Sequence, residues 1–258
     1  MSMAERPSPP YVYLGMYFRE PDSQRSLRAA AEYLMKRDPN ACFREVQTIS
    51  PEWHSGGPYR WSEIGYCRFY LACFQTLKQV EHATSDRIVA LYIDHSESLV
   101  PGVVEVVEEE TISDEAIDHN PIAIRMNGEG FSGPPGEPLG DTVQLGAALY
   151  RRARGLAEAL NPVYLSIYVE TTLMCPHDLR TKGGGVGSDV FLSREEFGEE
   201  PLRLLCRECT GAFIETWNNG IYISASADMN PRHQELAHGE GSALFDCVGR
   251  FIAENYRP

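Results

Sequence analysis

The sequence is short of basic residues and of long apolar runs. Its 258 residues hold 23 Lys and Arg against 37 Asp and Glu, a formal net charge of −14. Nucleic-acid binding needs basic side chains that displace counterions, and anionic lipid surfaces repel an acidic chain, so we expect no direct nucleic acid and no membrane as partner. No secretion signal is visible at the start, and no apolar run nears the roughly 18 residues of a membrane span, so the cytoplasm is the expected compartment.

The familiar catalytic motifs are also missing. None of the seven His lies in an HExxH pattern, and no Ser lies in GxSxG. The stretch from Thr181 to Asp189 is rich in Gly, but Lys182 precedes the glycines, which is not Walker spacing. We therefore predict a binding protein that is not an enzyme. The alternative is a small-molecule enzyme with its site near Asp94, His95 and the loop from Lys182 to Gly187, because α/β enzymes place catalytic groups at strand ends.

The seven cysteines are odd in number and irregular in spacing, which does not indicate a disulfide framework. Cys206 and Cys209 form a CxxC pair, and Cys175 with His177 would complete a set of four zinc ligands. The one-residue gap between Cys175 and His177 is tighter than zinc ligands usually have. We expect ordinary reduced cysteines, no metal and no cofactor, with zinc at these four residues as the alternative.

The order of sequence patterns predicts the α+β class. The polar, Pro-rich composition of residues 1–10 predicts a flexible tail. The patterns in residues 11–258 predict a single domain with a mixed or mostly antiparallel sheet and helices packed on it. The Asn218-Asn219-Gly220 step between two apolar stretches predicts a hairpin. Strands are predicted at 11–18, 43–49, 87–94, 103–107, 121–126, 163–171, 211–217 and 221–226. Helices are predicted at 61–80, 141–160 and 242–254, and one that follows the N-cap residues Asp22 and Ser23 and ends at Asp38-Pro39. Loops are predicted at 50–60 and 127–140, and 176–200 is predicted to be mostly loop.

Two kinds of residue are candidates for partner binding. Acidic side chains attract a basic partner and speed the encounter. Trp and Tyr in loops rich in Gly and Pro are residue types that anchor interfaces. The plainer alternatives are that the charge keeps the protein dissolved and that the aromatic rings cap the core. The candidates are Glu108, Glu109, Glu110, Asp114, Glu115, Trp53, Tyr59, Trp61, Trp217 and Asn218.

Both ends of the chain resemble a known family. The stretch YLGMYFREPDSQRSLRAAAEYLMKRDPNACF, from Tyr13 to Phe43, resembles the opening of the bacterial immunity protein 52 family, with an aromatic strand that ends near an Arg and an acidic residue and then a helix of small residues. The stretch ETWNNGIYISASADMN, from Glu215 to Asn230, resembles the family's Trp-Asn-Gly segment. The matching positions in the opening are Tyr13, Gly15, Tyr17, Arg19, Ser23, Ala30, Leu34 and Pro39.

The resemblance implies a function and a partner. It implies a single immunity domain that neutralises a cognate toxin of a type VI or polymorphic secretion system by direct stoichiometric binding. It also implies that the toxin is a restriction-endonuclease-fold nuclease. Such a nuclease presents a basic face to DNA, which an acidic inhibitor would cover. The family implies no catalytic residue, so none is carried over.

Overall fold

The computed structural model describes residues 11–20, 22–49, 66–84, 86–95, 103–109, 121–127, 142–169, 173–187, 189–225 and 240–257. The predicted tail, 1–10, lies outside them. The strands are β1 (Tyr11–Tyr17), β2 (Cys42–Ile49), β3 (Tyr66–Phe74), β4 (Arg87–Asp94), β5 (Val103–Glu108), β6 (Ile122–Asn127), β7 (Tyr164–Val169), β8 (Asp189–Ser193), β9 (Phe213–Trp217) and β10 (Gly220–Ser224). The helices are α1 (Ser23–Arg37), α2 (Leu77–Ala83), α3 (Thr142–Leu160), α4 (Pro176–Lys182), α5 (Arg194–Phe197), α6 (Glu199–Glu208) and α7 (Glu240–Asn255).

The ten described strands form one sheet in the order β3-β2-β4-β5-β6-β1-β7-β8-β10-β9, and each neighbouring pair is antiparallel. The first strand of the chain therefore lies inside the sheet, between β6 and β7. The predicted α+β class, with a mostly antiparallel sheet and packed helices in a single domain, is confirmed. None of the described helices combines the length and the apolar character that crossing a membrane requires.

Helices cover the sheet on both faces because side chains alternate along each strand. In β1, Leu14 and Met16 join the core under α1, α2 and α3. Tyr17 points the other way and joins a second core, to which α4, α5, α6 and α7 contribute. The second core lies over β7, β8 and β10. Burial of these two apolar layers is the main stabilising contribution to the fold.

Two glycines of the family-like stretches are required by close approach. A Cβ atom on Gly15 would lie 2.6 Å from the Tyr168 ring, which crosses β1 on the second face. Tyr168 also stacks on Tyr13, with ring centroids 5.0 Å apart. A Cβ atom on Gly220 would collide with the backbone carbonyl of Leu192. Larger residues at Gly15 or Gly220 would force these strands apart.

The predicted hairpin is confirmed and is tied to a helix. The turn at Asn218 and Asn219 joins β9 to β10. The Asn219 Nδ2 donates hydrogen bonds to the Ala157 carbonyl at 2.8 Å and to Asn161 Oδ1 at 2.9 Å. Ala157 lies in the last turn of α3, and its carbonyl also accepts the backbone amide of Asn161 at 3.0 Å. The turn therefore caps α3.

Two predictions of secondary structure are wrong. The stretch 61–80, predicted as a helix from its apolar spacing, contains β3 and then the start of α2. The spacing of an aromatic run is compatible with a helix and with a strand, and here the pairing with β2 makes it a strand. The stretch 176–200, predicted as loop, contains α4, β8, α5 and the start of α6. Here Pro176 occupies the first turn of α4, where proline is tolerated, so a residue that indicated a break begins a helix.

The expectation of reduced cysteines is wrong for one pair. Cys42 and Cys73 form a disulfide across a sequence separation of 31 residues. It links the start of β2 to the end of β3, the strand at the sheet edge, beside an irregularity in register between Phe43 and Glu45. The pairing cannot be found from spacing, because it depends on β3 lying beside β2. The other five cysteines are free thiols: Cys67, Cys175, Cys206, Cys209 and Cys247.

Candidate functional site

Four of the predicted partner-binding residues lie in the described part of the chain, namely Glu108, Glu109, Trp217 and Asn218. The other six lie outside the described residues: Glu110, Asp114, Glu115, Trp53, Tyr59 and Trp61. Their role in binding stays a prediction. Each of the four described residues has its own environment.

Glu108, one of the predicted partner-binding residues, is buried at the end of β5, where its side chain is not available to a partner. Its Oε1 accepts hydrogen bonds from the Ser23 hydroxyl at 2.8 Å and from Arg87 Nη2 at 2.7 Å. Its Oε2 accepts one from Gln24 Nε2 at 3.3 Å. A buried carboxylate is tolerated only with such partners. Glu108 therefore fastens the first turn of α1 to the sheet.

Glu109, also predicted to bind a partner, is buried as well. Its Oε2 accepts hydrogen bonds from the Tyr168 hydroxyl at 2.5 Å and from the Leu173 amide at 3.3 Å. Burial raises the pKa of Glu109 to about 7, against the opposing effect of these hydrogen bonds. The carboxyl joins the end of β5 to β7 and the chain that follows it.

Trp217 is a core residue and not an exposed anchor. Its ring stacks on Tyr222, with centroids 4.7 Å apart, and on Phe191 at 5.5 Å. Tyr150 of α3 meets it edge-on at 5.6 Å. Asn218, the next residue, is exposed, and its Nδ2 donates a hydrogen bond to Glu158 at 3.2 Å. Of the four described candidates, Asn218 alone presents its side chain to solvent.

The groups of the alternative enzyme site belong to different parts of the fold. Asp94 pairs with Arg44 at 2.9 Å, and the neighbouring His95 is buried, with a ring nitrogen that donates to the Leu34 carbonyl at 3.1 Å. Lys182 pairs with Asp178 on α4, at 3.2 Å, where α4 packs against α7. The structure does not bring the strand end and the Gly-rich loop into one cleft within the described residues.

The cysteines of the zinc alternative are engaged separately. The Cys175 Sγ accepts the Asp178 amide at 3.5 Å and so caps α4. Cys206 and Cys209 lie near the end of α6, where burial and the nearby Cys247 raise the pKa of Cys209 to about 12. Among the described residues, no three His, Cys, Asp or Glu side chains are grouped to hold a metal.

Sequence reasoning missed a row of polar and aromatic side chains on the second face of the sheet. Its members lie directly opposite one another on six adjacent strands: Glu45, Tyr92, Glu105, Arg125, Tyr13 and Tyr168. Glu105 is fully buried, and its carboxylate pairs with Arg125. Burial raises the pKa of Glu105, and the charge of Arg125 opposes that shift. Because neighbours in the row contact one another, we interpret it as internal packing.

Most of the excess of acidic over basic residues lies outside the residues that the structure describes, which we call the framework. The described residues hold 20 Lys and Arg against 23 Asp and Glu, a net of −3. The remaining residues hold 3 against 14, a net of −11. The described helices and strands are therefore nearly neutral, and most of the chain's charge of −14 belongs to the connections and termini.

Two of these connections leave the sheet at the same end. Ile49, the last residue of β2, lies opposite Arg87 on one side of β4. Glu108, the last residue of β5, is next to Val107, which lies opposite Ala90 on the other side of β4. Neighbouring strands are about 4.8 Å apart, so the two exits lie on the order of 10 Å from each other. Residues 50–65 contain Trp53, Tyr59 and Trp61, and residues 110–120 contain Glu110, Asp114, Glu115 and Asp118 without a basic residue.

A polar groove lies at this end of the sheet, and no sequence pattern indicated it. It has a volume of about 590 Å³ and runs between α1, α2 and the start of β4. Arg28 Nε pairs with Glu81 across α1 and α2, at 3.0 Å. Arg87 forms part of the floor through its ion pair with the buried Glu108. The lining residues are Gln24, Arg28, Glu81, Thr84, Asp86, Arg87 and Ile88.

No family model and no curated protein matches this chain. Among solved structures, it is similar to the Pseudomonas aeruginosa T6SS protein PA0821. The identity is 12%, the TM-score is 0.44, and the alignment covers 94% of this chain and 74% of that one. So low a TM-score does not establish a shared fold, and the likeness assigns no site.

Proposed function

We propose that this chain is an immunity-type binding protein that neutralises a secreted toxin with a basic surface by direct stoichiometric binding. One observation carries the proposal: a net charge of −11 lies outside a nearly neutral framework, and its densest part, residues 110–120, joins the sheet beside the segment that contains three aromatic candidates. A concentrated acidic region steers a basic partner, and aromatic side chains supply contact area.

The roles of the family-like residues support this division between framework and recognition. Gly15 and Gly220 allow close approach of neighbouring groups, and Trp217 fills the core. Arg19, at the end of β1, donates to Glu196 at 2.8 Å. Such residues maintain a fold and do not select a partner. If related chains share this framework, the residues that select their partners belong in the connections between strands and helices. Loops tolerate sequence change well.

The finer features of the partner come from the resemblance. It implies a nuclease toxin of a type VI or polymorphic secretion system, and a nuclease has the basic face that an acidic inhibitor requires. Such a toxin would be met in the cytoplasm, where the DNA is. The protein would act without turnover, cofactor or direct contact with nucleic acid.

A small-molecule enzyme at Asp94, His95 and the loop from Lys182 to Gly187 is the less favoured alternative. That reaction would need these groups to converge on one substrate. Asp94 is engaged by Arg44, and Lys182 is engaged by Asp178 on the other side of the fold. Substitution of His95 by Asn would abolish activity in the enzyme and leave neutralisation unchanged in the binding protein.

The proposal is tested first by the neighbouring gene, which it expects to encode a secreted toxin, and then with that purified toxin. The rate of association is measured between 50 and 500 mM salt, about the range over which charge screening changes strongly, for the wild type and for E110K/D114K/E115K. We expect the variant to associate at least about tenfold more slowly at low salt and to lose most of the salt dependence. E199K/E200K/E208K on α6, whose three positions are exposed, applies the same change in net charge as a control.

The control variant should associate with the toxin faster than the test variant does at every salt concentration. If both variants are slowed equally, net charge and not residues 110–115 directs the encounter. If the wild type forms no complex with the toxin, the proposed function is wrong.

A further inference from the structure

Three free thiols come together where α6 meets α7. Cys206 lies in the last turn of α6, and Cys209 is the residue that caps the end of this helix. Cys247 lies on α7, which packs against α6. Its thiol is in hydrogen-bond contact with the thiol of Cys209, and its Sγ lies 3.9 Å from Glu208 Oε2. The CxxC motif of the sequence therefore has a third cysteine beside it, which comes from a different helix.

The contact between the helices suits a disulfide better than the CxxC motif does. Side chains three residues apart on a helix have Cβ atoms about 5–6 Å apart, whereas a disulfide holds its Cβ atoms about 3.5–4.5 Å apart. Cys206 and Cys209 have this helical spacing, and the Cys209 amide still donates to the Leu205 carbonyl at 3.0 Å. A bond between these two would require the end of α6 to unwind. Cys209 and Cys247 come from separate elements, and their thiols are already in contact.

The two thiols in contact differ in their access to solvent. Cys209 is buried, with 4% of its surface exposed, and Cys247 is half-buried. Burial and the neighbouring Cys247 raise the pKa of Cys209 to about 12, and a thiol that keeps its proton is a weak nucleophile. A reagent in solution therefore meets Cys247 first, and Cys209 reacts only through Cys247.

We propose that Cys209 and Cys247 are a site of oxidation by a small-molecule disulfide such as oxidised glutathione, and that the bond they form fastens α7 to the end of α6. The Cys247 thiolate attacks one sulfur of the small molecule, and the other half leaves as a thiol with the proton that Cys247 lost. Cys209 then loses its proton and attacks the Cys247 sulfur, which releases the second half as a thiol. Two protein thiols give up two electrons and become one disulfide, and the small-molecule disulfide is reduced to two thiols.

The bond would join two of the helices that cover the second face of the sheet. Cys209 belongs to the second core, and Cys206 and Cys247 pack against it. α7 also packs on α4, so a link to α6 ties three of these helices together. A disulfide restricts the unfolded chain as well. The inference is independent of the proposed function, because no protein partner takes part in it.

The site is tested by incubation of the wild-type protein with oxidised glutathione, followed by alkylation of the remaining thiols and mass spectrometry of tryptic peptides. Trypsin cleaves after Arg207, so Cys206 and Cys209 lie on different peptides. We expect the peptide of Cys209 to be linked to that of Cys247. Cys67, which is exposed on β3, should carry one glutathione and shows that the oxidant has reacted.

Hydrogen exchange measures the effect of the bond on the helices. Amide hydrogens of α6 and α7 should exchange at least about tenfold more slowly in the oxidised protein, and those of α1 and α2 should not change. Unchanged exchange in α6 and α7 of a protein that carries the bond would show that it does not fasten the helices.

Two serine variants identify the pair. C206S should form the same linked peptide as the wild type, and C247S should form none, although each variant loses one thiol. Linkage of Cys206 to Cys209, or glutathione that stays on Cys247 without release, overturns the proposal. So does a map in which Cys67 carries glutathione and Cys209 is not linked. The map of the wild type decides between these outcomes even if a variant is poorly folded.

Discussion

The hydroxyl of Tyr168 donates a 2.5 Å hydrogen bond to Glu109 Oε2, in the interior between β5 and β7. The same carboxyl accepts the Leu173 amide. Glu109 is a predicted partner-binding residue, and in the structure it is a buried group whose pKa burial raises to about 7. This relationship makes the stability of the protein depend on pH.

The sign of that dependence follows from where the proton is held. The pKa of Glu109 is about 7 in the folded state and 4.5 for an ordinary Glu, so between these values the folded protein keeps a proton that the unfolded chain has lost. The free energy of unfolding therefore falls as pH rises from 4.5 to 7. We expect E109Q to gain up to about 3 kcal/mol relative to the wild type between pH 4.5 and 8.

Urea unfolding of both proteins at several pH values measures this gain. E208Q, at an exposed position on α6, is the control and should follow the wild type at every pH. A constant difference between E109Q and the wild type across the range would show that Glu109 does not hold a proton in the folded state.

The Cys42–Cys73 disulfide should be a large part of the stability of the β2–β3 hairpin. It closes a loop over a sequence separation of 31 residues, for which the chain-entropy model gives roughly 3–4 kcal/mol. We expect C42A/C73A to lose about that much and to exchange amide hydrogens faster in β2 and β3 than in β8 and β10. C67S is the control, since Cys67 lies on β3 as a free, exposed thiol.

Alkylation of the unfolded protein tests the bond directly. Cys67 should react without prior reduction, and Cys42 and Cys73 should react only after it. Reaction of all three without a reductant would mean that the bond is not formed.

Substitution of Glu108 should cost much more than substitution of an exposed acid. E108A leaves Arg87 and Ser23 without their buried partner, which typically costs about 3–5 kcal/mol. The matched control is D94A, because Asp94 pairs with Arg44 in a half-exposed setting, where an ion pair contributes at most about 1 kcal/mol. Denaturant unfolding at pH 7 measures both. Equal losses in the two variants would contradict the structural role of Glu108.

Trp217 should matter for stability and not for recognition. W217A removes a ring that packs between Tyr222 and Phe191, and such a deletion costs about 3–5 kcal/mol. W217F keeps an aromatic ring in place and should retain partner binding. N218A should change stability by less than about 0.5 kcal/mol, because its side chain is exposed. A W217F variant that is folded but no longer binds the partner would show that Trp217 takes part in the interface.

The elements that sequence predicted well are those whose local signals agree with their surroundings. β4 combines β-branched residues with burial on both faces, α3 has a continuous apolar stripe, and the β9–β10 hairpin has an Asn-Gly turn. β3 could not be predicted, because its apolar spacing fits a helix and only its pairing with β2 makes it a strand. The disulfide depends on the same pairing.

The burial of three candidate site residues, Glu108, Glu109 and Trp217, could not be predicted from the sequence. A run of three glutamates indicates a solvated surface, yet Glu108 ends β5 and contacts Ser23 of α1, and Glu109, the next residue, contacts Tyr168 of β7. Burial of this kind depends on contacts far apart in the sequence. The groove beside Asp86 has no local signal either, because Arg28 and Glu81 belong to different helices. Charge and composition indicate a basic partner, which stays a prediction, and they do not indicate the surface that would meet it.

Titration of the secreted toxin that the proposal expects beside this gene, with the purified protein, tests the central claim most directly. The account predicts that toxin activity falls linearly to zero at a fixed molar ratio, and that cells producing both proteins survive while cells producing the toxin alone die. Toxin activity that stays unchanged at a large excess of this protein, together with no protection of the cells, would contradict it.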